Sequence, residues 1–274
     1  MLTACLLAIG NELLDGEIRD LNLHTLSRTL TKLGFTIQHA MITRDNINHI
    51  DESLKFLIAT SPDILLCSGG LGPTLDDLTL SAIAEIFDRP LHIHPEARKM
   101  VEDQYNHLIE QGFLDQRGPV DARIKMATLP QGATPLHNPI GTAPGVHLRL
   151  RNTECFILPG VPKELDAIFH SSILPYLHHH FQLSFWAEGA LLVYCDDEAE
   201  LAVPLAEIAG RHPDVYVKSL AKPFPAAHQL GIRIIATTHA ESAEQAEKMV
   251  HHALLDLQQM ISTAGFQVGN ITNK

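Results

Sequence analysis

The chain has 274 residues, enough for one large and one small domain, and its 45% hydrophobic and 19% charged composition is that of a globular protein rather than a disordered one. Its formal net charge of −12 repels nucleic acid phosphates and anionic lipids, so binding DNA or RNA would require a local basic patch, and the sequence contains none. No apolar stretch approaches the roughly 18 residues that a membrane helix needs. We therefore expect neither nucleic acid nor a membrane as a partner.

Four cysteines lie far apart, each within or beside an apolar run: Cys5, Cys67, Cys155 and Cys195. They lack the paired spacing of a zinc site or a redox motif, so we interpret them as small core residues in the reduced state. Reduced cysteines, together with the absence of a targeting segment, favour a cytoplasmic location.

The first part of the chain alternates predicted strands with predicted helices. Residues 2–9 are a continuous apolar run that ends at Gly10, as in a strand buried on both faces of a parallel sheet. A helix is predicted from Asp20 to a C-terminal cap at Gly34, and it is followed by a strand at 35–43, a helix at 46–60 and a strand at 63–68. This β-α-β-α-β order predicts parallel strand pairing.

The strand-turn-helix pattern then recurs. Helices are predicted from Leu75 to Phe87 and from Pro95 to Gln111, a Pro- and Gly-rich loop or irregular hairpin at 130–145, a strand at 154–158 and a helix from Pro162 to about Leu177.

After about residue 178 the pattern changes to a strand at 189–195, a helix at 198–209, strands at 215–220 and 231–237, and a helix at 241–261. The predicted fold is a doubly wound, mostly parallel α/β sheet over residues 1–175, followed by a smaller α+β domain over 178–274. The small domain lacks a clustered Lys or Arg face, so an assembly or lid role fits it better than nucleic acid binding.

A glycine turn follows the strand at 63–68. Gly69, Gly70 and Gly72 expose backbone amides at the start of a helix, where a phosphate is stabilised. The turn is neither a P-loop nor the G-x-G-x-x-G fingerprint. Asp76 and Asp77 stand where a P-loop has its lysine, and carboxylates repel a phosphate unless a cation bridges them. The pattern therefore indicates a divalent metal.

A second interpretation of these residues stays open. Thr74 and Asp77 have the spacing of a helix capping box, and acidic residues suit the first turn of any helix. In that case the carboxylates stabilise the helix and hold no ligand.

Four sequence blocks resemble one family. In order, they are GNELLDGEIRDLN (10–22), SGGLGPTLDDLT (68–79), NPIGTAPG (138–145) and LPGVPKEL (158–165). They are similar to the signature stretches in the N-terminal part of the competence/damage-inducible protein family (CinA), which contains the molybdopterin-binding domain shared with MoaB/Mog-type proteins. The blocks span most of residues 1–175, and the unit after 178 resembles, more loosely, the βαββα module that follows in that family.

The resemblance implies a ligand at the carboxyl ends of the strands. Some family members are metal-dependent pyrophosphatases that split ADP-ribose or related dinucleotides. Relatives that build molybdenum cofactor use an aspartate in each of two blocks around a pterin-nucleotide site, and those positions match Asp77 and Asp45. We therefore expect Asp45 and Asp77 to be catalytic, and Asp45, Asp76, Asp77 and Glu12 to hold a divalent metal (Mg, Mn or Co). An ordinary solvated loop carboxylate is the alternative for Glu12.

Substrate-binding candidates complete the predicted site. Backbone amides and small side chains are expected to contact the ligand at Gly69, Gly70, Gly72, Thr74, Gly141, Thr142 and Gly160, with Lys163 supplying a positive charge and Asn22 a side-chain contact. For Asn22 helix capping is the alternative, and for Lys163 an ordinary surface position.

The leading hypothesis is a metal-dependent nucleotide pyrophosphatase acting on ADP-ribose-like dinucleotides. The alternatives are a non-catalytic protein that binds molybdopterin or a similar pterin nucleotide, and a regulatory partner of a separate nicotinamide-nucleotide deamidase. Many family members continue into a deamidase domain for which this chain has no room, so that activity is not expected here. Apolar positions predicted to be exposed on the last helix, Leu254, Leu257 and Met260, favour a homo-oligomer.

Overall fold

The computed structural model describes residues 2–195, 197–222 and 230–273. It divides into two compact units, the first comprising Met1–Thr31 and Phe35–Gln182 and the second Lys32–Gly34 and Leu183–Lys274. The predicted pairing of a mostly parallel α/β sheet with a smaller α+β unit is confirmed.

The first unit is built on a six-stranded sheet with the order β2-β1-β3-β8-β7-β6. Its strands are β1 (Leu2–Ile9), β2 (Phe35–Thr43), β3 (Ile64–Ser68), β6 (Thr134–Leu136), β7 (Gly145–Leu150) and β8 (Thr153–Leu158), while β4 (Leu91–Ile93) and β5 (Thr128–Pro130) form a separate pair. β1 pairs in parallel with β2 and β3, and β3 with β8, whereas β6, β7 and β8 pair antiparallel. The Pro- and Gly-rich stretch therefore forms part of a short hairpin, β6–β7.

Helices connect these strands. They are α1 (Asn11–Leu14), α2 (Asn22–Lys32), α3 (Ile47–Ala59), α4 (Thr79–Ile86), α5 (Pro95–Glu110), α6 (Val120–Met126), α7 (Pro162–Ile168) and α8 (Leu174–His180), with a π-helical stretch, Phe169–Ile173, between α7 and α8. Asn46 caps α3 with its side chain, which accepts hydrogen bonds from the amides of Asn48 and His49. Ala4–Ile9 and all of β3 are buried, as expected for strands covered on both faces of the sheet.

The second unit is an antiparallel sheet with helices. Its elements are β9 (Phe185–Cys195), a 3₁₀ turn (Glu198–Leu201), α9 (Ala202–Arg211), β10 (Tyr216–Lys222), β11 (Leu230–Ala240), α10 (Ala243–Thr263), β12 (Gln267–Val268) and β13 (Thr272–Asn273). The strand order is β10-β11-β9-β12, and β13 also pairs with β9. The predicted strands at 189–195 and 231–237 were too short, because the long β9–β11 ladder extends the pairing to Phe185 and Ala240.

The expectation that α10 exposes an apolar assembly surface is wrong at the named positions. Leu254 and Leu257 are fully buried, and Met260 packs against the same core. These positions lie on the apolar face of α10, and that face covers the sheet of the second unit. The helical periodicity therefore identified the buried face of α10 and not an exposed one. They give no support to an oligomer, which remains a prediction without an assigned surface.

No helix among the described residues combines the length and the apolar character needed to cross a membrane.

An aromatic cluster packs α8 onto the sheet of the first unit. The ring of Tyr176 lies 4.8 Å from that of His147 and 5.4 Å from that of Phe156, and it stacks on His180 at 3.8 Å between centroids. Burial, together with the nearby carboxylate of Glu154, raises the pKa of Tyr176 to about 12. The neutral phenol is therefore favoured by the folded state.

This pKa predicts a loss of stability at alkaline pH. Because the pKa of Tyr176 lies above its ordinary value of 10.0, the folded chain binds the phenolic proton more tightly than the unfolded chain does. The stabilisation should be complete below pH 10 and lost as the pH rises to about 12. Urea unfolding at a series of pH values should show a shallower decline in this window for Tyr176→Phe than for the wild type. The exposed Tyr216 provides the control, and equal slopes for Tyr176→Phe and the wild type would contradict the assignment.

Candidate functional site

A cavity of about 560 Å³ opens at the carboxyl ends of the parallel strands in the first unit. Its walls come from the segments that follow β1, β2, β3 and β8, including Gly10, Asp45, Gly69 and Gly160. Ligand sites in open α/β sheets commonly lie at this edge because successive connecting loops converge there. The edge is therefore the candidate functional site.

The glycine turn after β3 forms the floor of this cavity. Gly69 has a φ of +103°, and a Cβ built on it would lie 2.1 Å from the carbonyl oxygen of Ile9. Its amide donates to the carbonyl of Leu158 at 2.9 Å. A Cβ on Gly160 would lie 3.6 Å from the Cα of Gly69, so the turns after β3 and β8 are in contact. The absence of a side chain at position 69 is what allows the ends of β1, β3 and β8 to meet.

We expect Gly69→Ala to destabilise the protein by more than about 3 kcal/mol, because it combines left-handed backbone strain with a clash against main chain that cannot yield. Gly112→Ala is the matched control, since Gly112 has a φ of +75° but nothing within 4 Å of the built Cβ. That substitution should lower the free energy of unfolding by about 1–2 kcal/mol, the cost of the left-handed backbone conformation alone. Urea denaturation measures both values, and similar costs for the two variants would show that the contact with Ile9 is unimportant.

The segment Gly72–Asp77 is a loop rather than the start of a helix. Asp77 Oδ2 accepts from the amide of Thr74 at 2.8 Å and from its hydroxyl at 2.6 Å, and the same hydroxyl donates to Asp76. The helix predicted from Leu75 begins instead at Thr79, whose hydroxyl donates to the carbonyl of Gly69 at 2.9 Å. The Asp77 side chain thus makes one half of a capping box with the Thr74 amide, but the Asp77 amide donates to the Thr74 carbonyl and not to its side chain, and these contacts close a turn ahead of the helix.

Carboxylates gather on one side of this loop. Asp45, after β2, accepts from the amide of Asn11 at 2.8 Å and is half-buried. Burial raises its pKa, and the negative charges of Glu12, Asp76 and Asp77 raise it further. The hydroxyl of Thr74 and a backbone amide lower the pKa of Asp76. The four acidic side chains predicted to act together therefore face the same cavity.

These donors suit a hard divalent ion but do not form a complete cage. Within the part of the chain that the structure describes, no group of three or more His, Cys, Asp or Glu side chains is placed to hold a metal ion. Mg²⁺ typically binds through one or two carboxylates together with substrate phosphates and water, and carboxylate oxygen is the ligand that it prefers. Asp45, Asp76, Asp77 and Glu12 are among the carboxylates that the cavity lining offers to such an ion.

The remaining predicted residues are divided between the cavity and its surroundings. Gly69, Gly70, Gly72, Thr142, Gly160 and Asn22 line the cavity, whereas Thr74, Gly141 and Lys163 do not. Asn22 is buried and its side-chain amide donates to the carbonyl of Gly160 at 2.8 Å, so it braces the turn after β8. The Gly141 amide donates to Asn138 Oδ1 at 2.9 Å, which ties it into its own loop.

Glu164 and Lys125 are among the charged residues at the site that sequence reasoning missed. Glu164 lines the cavity, and Asn138 donates to its carboxylate at 2.7 Å. The signal was its place in the first turn of α7, two residues after a proline at the helix start. Lys125, at the end of α6, donates through Nζ to backbone carbonyls of the Gly72–Asp77 loop. No local pattern marks this residue, because α6 lies about fifty residues further along the chain.

The fold and the site define a class: α/β proteins with a cavity at the carboxyl edge of a mostly parallel sheet. Residues 5–179 match the family described as "Probable molybdopterin binding domain". The chain belongs to this family.

The chain is similar to other proteins over much of its length. Protein PAE0875 of Pyrobaculum aerophilum is 36% identical over 251 residues, covering 91% of each chain. Protein PH0439 of Pyrococcus horikoshii is 33% identical over 238 residues, covering 86% of this chain and 90% of that one. The crystal structure of CinA from Thermoplasma acidophilum, described as a protein of unknown function, is 30% identical with a TM-score of 0.57, covering 63% of this chain and 96% of that chain. The resemblance to the CinA family is thereby confirmed.

Proposed function

We propose that the cavity binds a nucleotide-like small molecule through its phosphates, and that the protein hydrolyses the pyrophosphate of ADP-ribose-like dinucleotides with the help of Mg²⁺, Mn²⁺ or Co²⁺. One observation carries the proposal: Asp45, Asp76, Asp77 and Glu12 face a cavity whose floor is a glycine turn. A cavity of about 560 Å³ lies within the range of small-molecule sites.

The chain offers both surfaces that a pyrophosphate requires. Glycines 69, 70 and 72, with Gly160, bring main chain to the cavity without intervening side chains, and backbone amides at such turns bind phosphate oxygens. The carboxylates lie on the adjoining wall. Because they would repel a bound phosphate, a cation between them and the ligand is needed for both to share one cavity.

When bound, a divalent ion supplies charge neutralisation on the pyrophosphate and acidifies water. Asp76 and Asp77 would hold the ion, since Thr74 fixes both carboxylates. Asp45 would accept the proton of the attacking water, because burial and neighbouring carboxylates raise its pKa toward the range of an efficient general base. Glu12 would complete the acidic wall.

Binding of a pterin nucleotide without catalysis is the second candidate. The family description, a probable molybdopterin-binding domain, favours it. The distribution of charge favours hydrolysis, because an anion binder usually surrounds its ligand with Lys and Arg. Among the described residues that line the cavity, Arg19 is the one Lys or Arg side chain.

Purified protein incubated with ADP-ribose and Mg²⁺, Mn²⁺ or Co²⁺ should release AMP, measured by chromatography. Asp77→Asn keeps an oxygen that can accept from Thr74 but removes the charge, so release should fall at least about 100-fold. Asp115→Asn is the matched control, since Asp115 is exposed and lies outside the cavity lining. This variant should keep wild-type activity.

Release of AMP that is independent of metal, or equal in Asp77→Asn and the wild type, would refute the assignment. If AMP is not released but a pterin nucleotide binds, and Asp77→Asn alters that binding, the second candidate is supported.

A further inference from the structure

The ammonium group of Lys125 lies among backbone carbonyls of the Gly72–Asp77 loop, the acidic loop. Its Nζ donates to the carbonyl oxygens of Gly72 at 3.2 Å and Asp77 at 2.9 Å, and also to that of Thr74. An ammonium has three hydrogens, so these three acceptors use its full donor capacity. Both ends and the middle of the loop are thus held by one side chain.

Lys125 contacts the loop without lining the cavity itself. Gly72, Asp76 and Asp77 line the cavity, whereas Lys125 does not. The side chain is half-buried, and the negative charges of Asp76 and Asp77 act on it. Carbonyl oxygens of the loop therefore bind a cation, while Asp76 and Asp77 of the same loop line the cavity.

The helix that carries Lys125 is itself anchored. Arg123 Nε donates to Glu102 of α5 at 2.9 Å, and the Arg123 side chain is 13% exposed. Met126, the residue after Lys125, is buried, lines the cavity and accepts from the hydroxyl of Thr142. The end of α6 thus contacts the acidic loop through Lys125 and the opposite cavity wall through Met126.

A peptide unit that points its carbonyl at Lys125 points the next amide the opposite way, because the peptide bond is planar and trans. The carbonyls of Thr74 and Asp77 consequently direct the amides of Leu75 and Leu78 away from Lys125. The ammonium fixes the orientation of the loop's peptide planes as well as its position.

We propose that Lys125 is a positioning residue: a built-in cation that holds the Gly72–Asp77 loop in its ligand-binding shape and offsets part of the charge of Asp76 and Asp77. The second part rests on the proposed function, since it concerns binding of a phosphate and a divalent ion. Lys125 itself touches neither ligand.

Three substitutions separate the two roles. Lys125→Met removes both the charge and the donors, Lys125→Arg keeps both, and Lys125→Gln keeps an amide donor but removes the charge. Lys99→Gln is the control, because Lys99 is exposed on α5 and outside the cavity. Hydrogen exchange followed by mass spectrometry measures the exchange rates of the loop amides. Calorimetry measures the binding of Mn²⁺ alone and of ADP-ribose in the presence of Mn²⁺.

In Lys125→Met, we expect amides of residues 69–78 to exchange about tenfold faster while exchange in β3 stays unchanged, with Lys125→Arg near the wild type. In Lys125→Gln, loss of the positive charge should strengthen Mn²⁺ binding several-fold and weaken ADP-ribose binding several-fold. A merely structural role would weaken both. Lys99→Gln should change none of these quantities.

Three results would overturn the inference: unchanged loop exchange in Lys125→Met, acceleration spread equally through β3 and α6, or joint weakening of Mn²⁺ and ADP-ribose binding in Lys125→Gln. If the wild type binds neither Mn²⁺ nor ADP-ribose, the proposed function fails. The exchange rates of Lys125→Met and Lys125→Arg then decide the loop-positioning role by themselves.

Discussion

At the end of β3, the backbone of Gly69 contacts the backbone at the ends of β1 and β8, and this contact sets the geometry of the whole site. At Gly69 the backbone passes so close to the carbonyl of Ile9 that a Cβ would lie 2.1 Å away, and the same residue lies against Gly160. Three parallel strands can end at one point only if the residue between them has no side chain. The floor of the cavity is therefore bare backbone, the kind of surface that approaches phosphate closely.

The negative charge around this floor results from the same meeting of strand ends. The ends of β1, β2 and β3 each deliver carboxylates to one cavity, Glu12 and Asp45 from the first two and Asp76 and Asp77 from the third. Burial raises the pKa of Asp45, and the negative charges of Glu12, Asp76 and Asp77 raise it further. Lys125, whose ammonium group contacts the loop, offsets part of this repulsion. In the proposed function, a cation bound with the ligand would offset the rest.

The second unit contributes a different kind of structure. Its long antiparallel strands β9 and β11 pair over eleven residues and bury the apolar stripe of α10. Leu254 and Leu257, which were expected from the sequence to form an exposed assembly surface, are therefore core positions. The helix is amphipathic because one side faces its own sheet.

The sequence by itself determined the strand-turn-helix order, the buried parallel strands and the glycine turns, because each depends on neighbours within a few residues. Hydrophobic runs, glycines and the four family blocks are all local signals, and they also assigned Asp45, Asp76, Asp77 and Glu12 to the edge of the sheet where the cavity opens. Tertiary structure alone decided that the first residues after Gly72 form a loop and not a helix, that Gly141 and Lys163 lie outside the cavity lining, and that Lys125 contacts the loop. Lys125 and the loop are about fifty residues apart in the sequence, and no local periodicity specifies the direction of a side chain across such a separation.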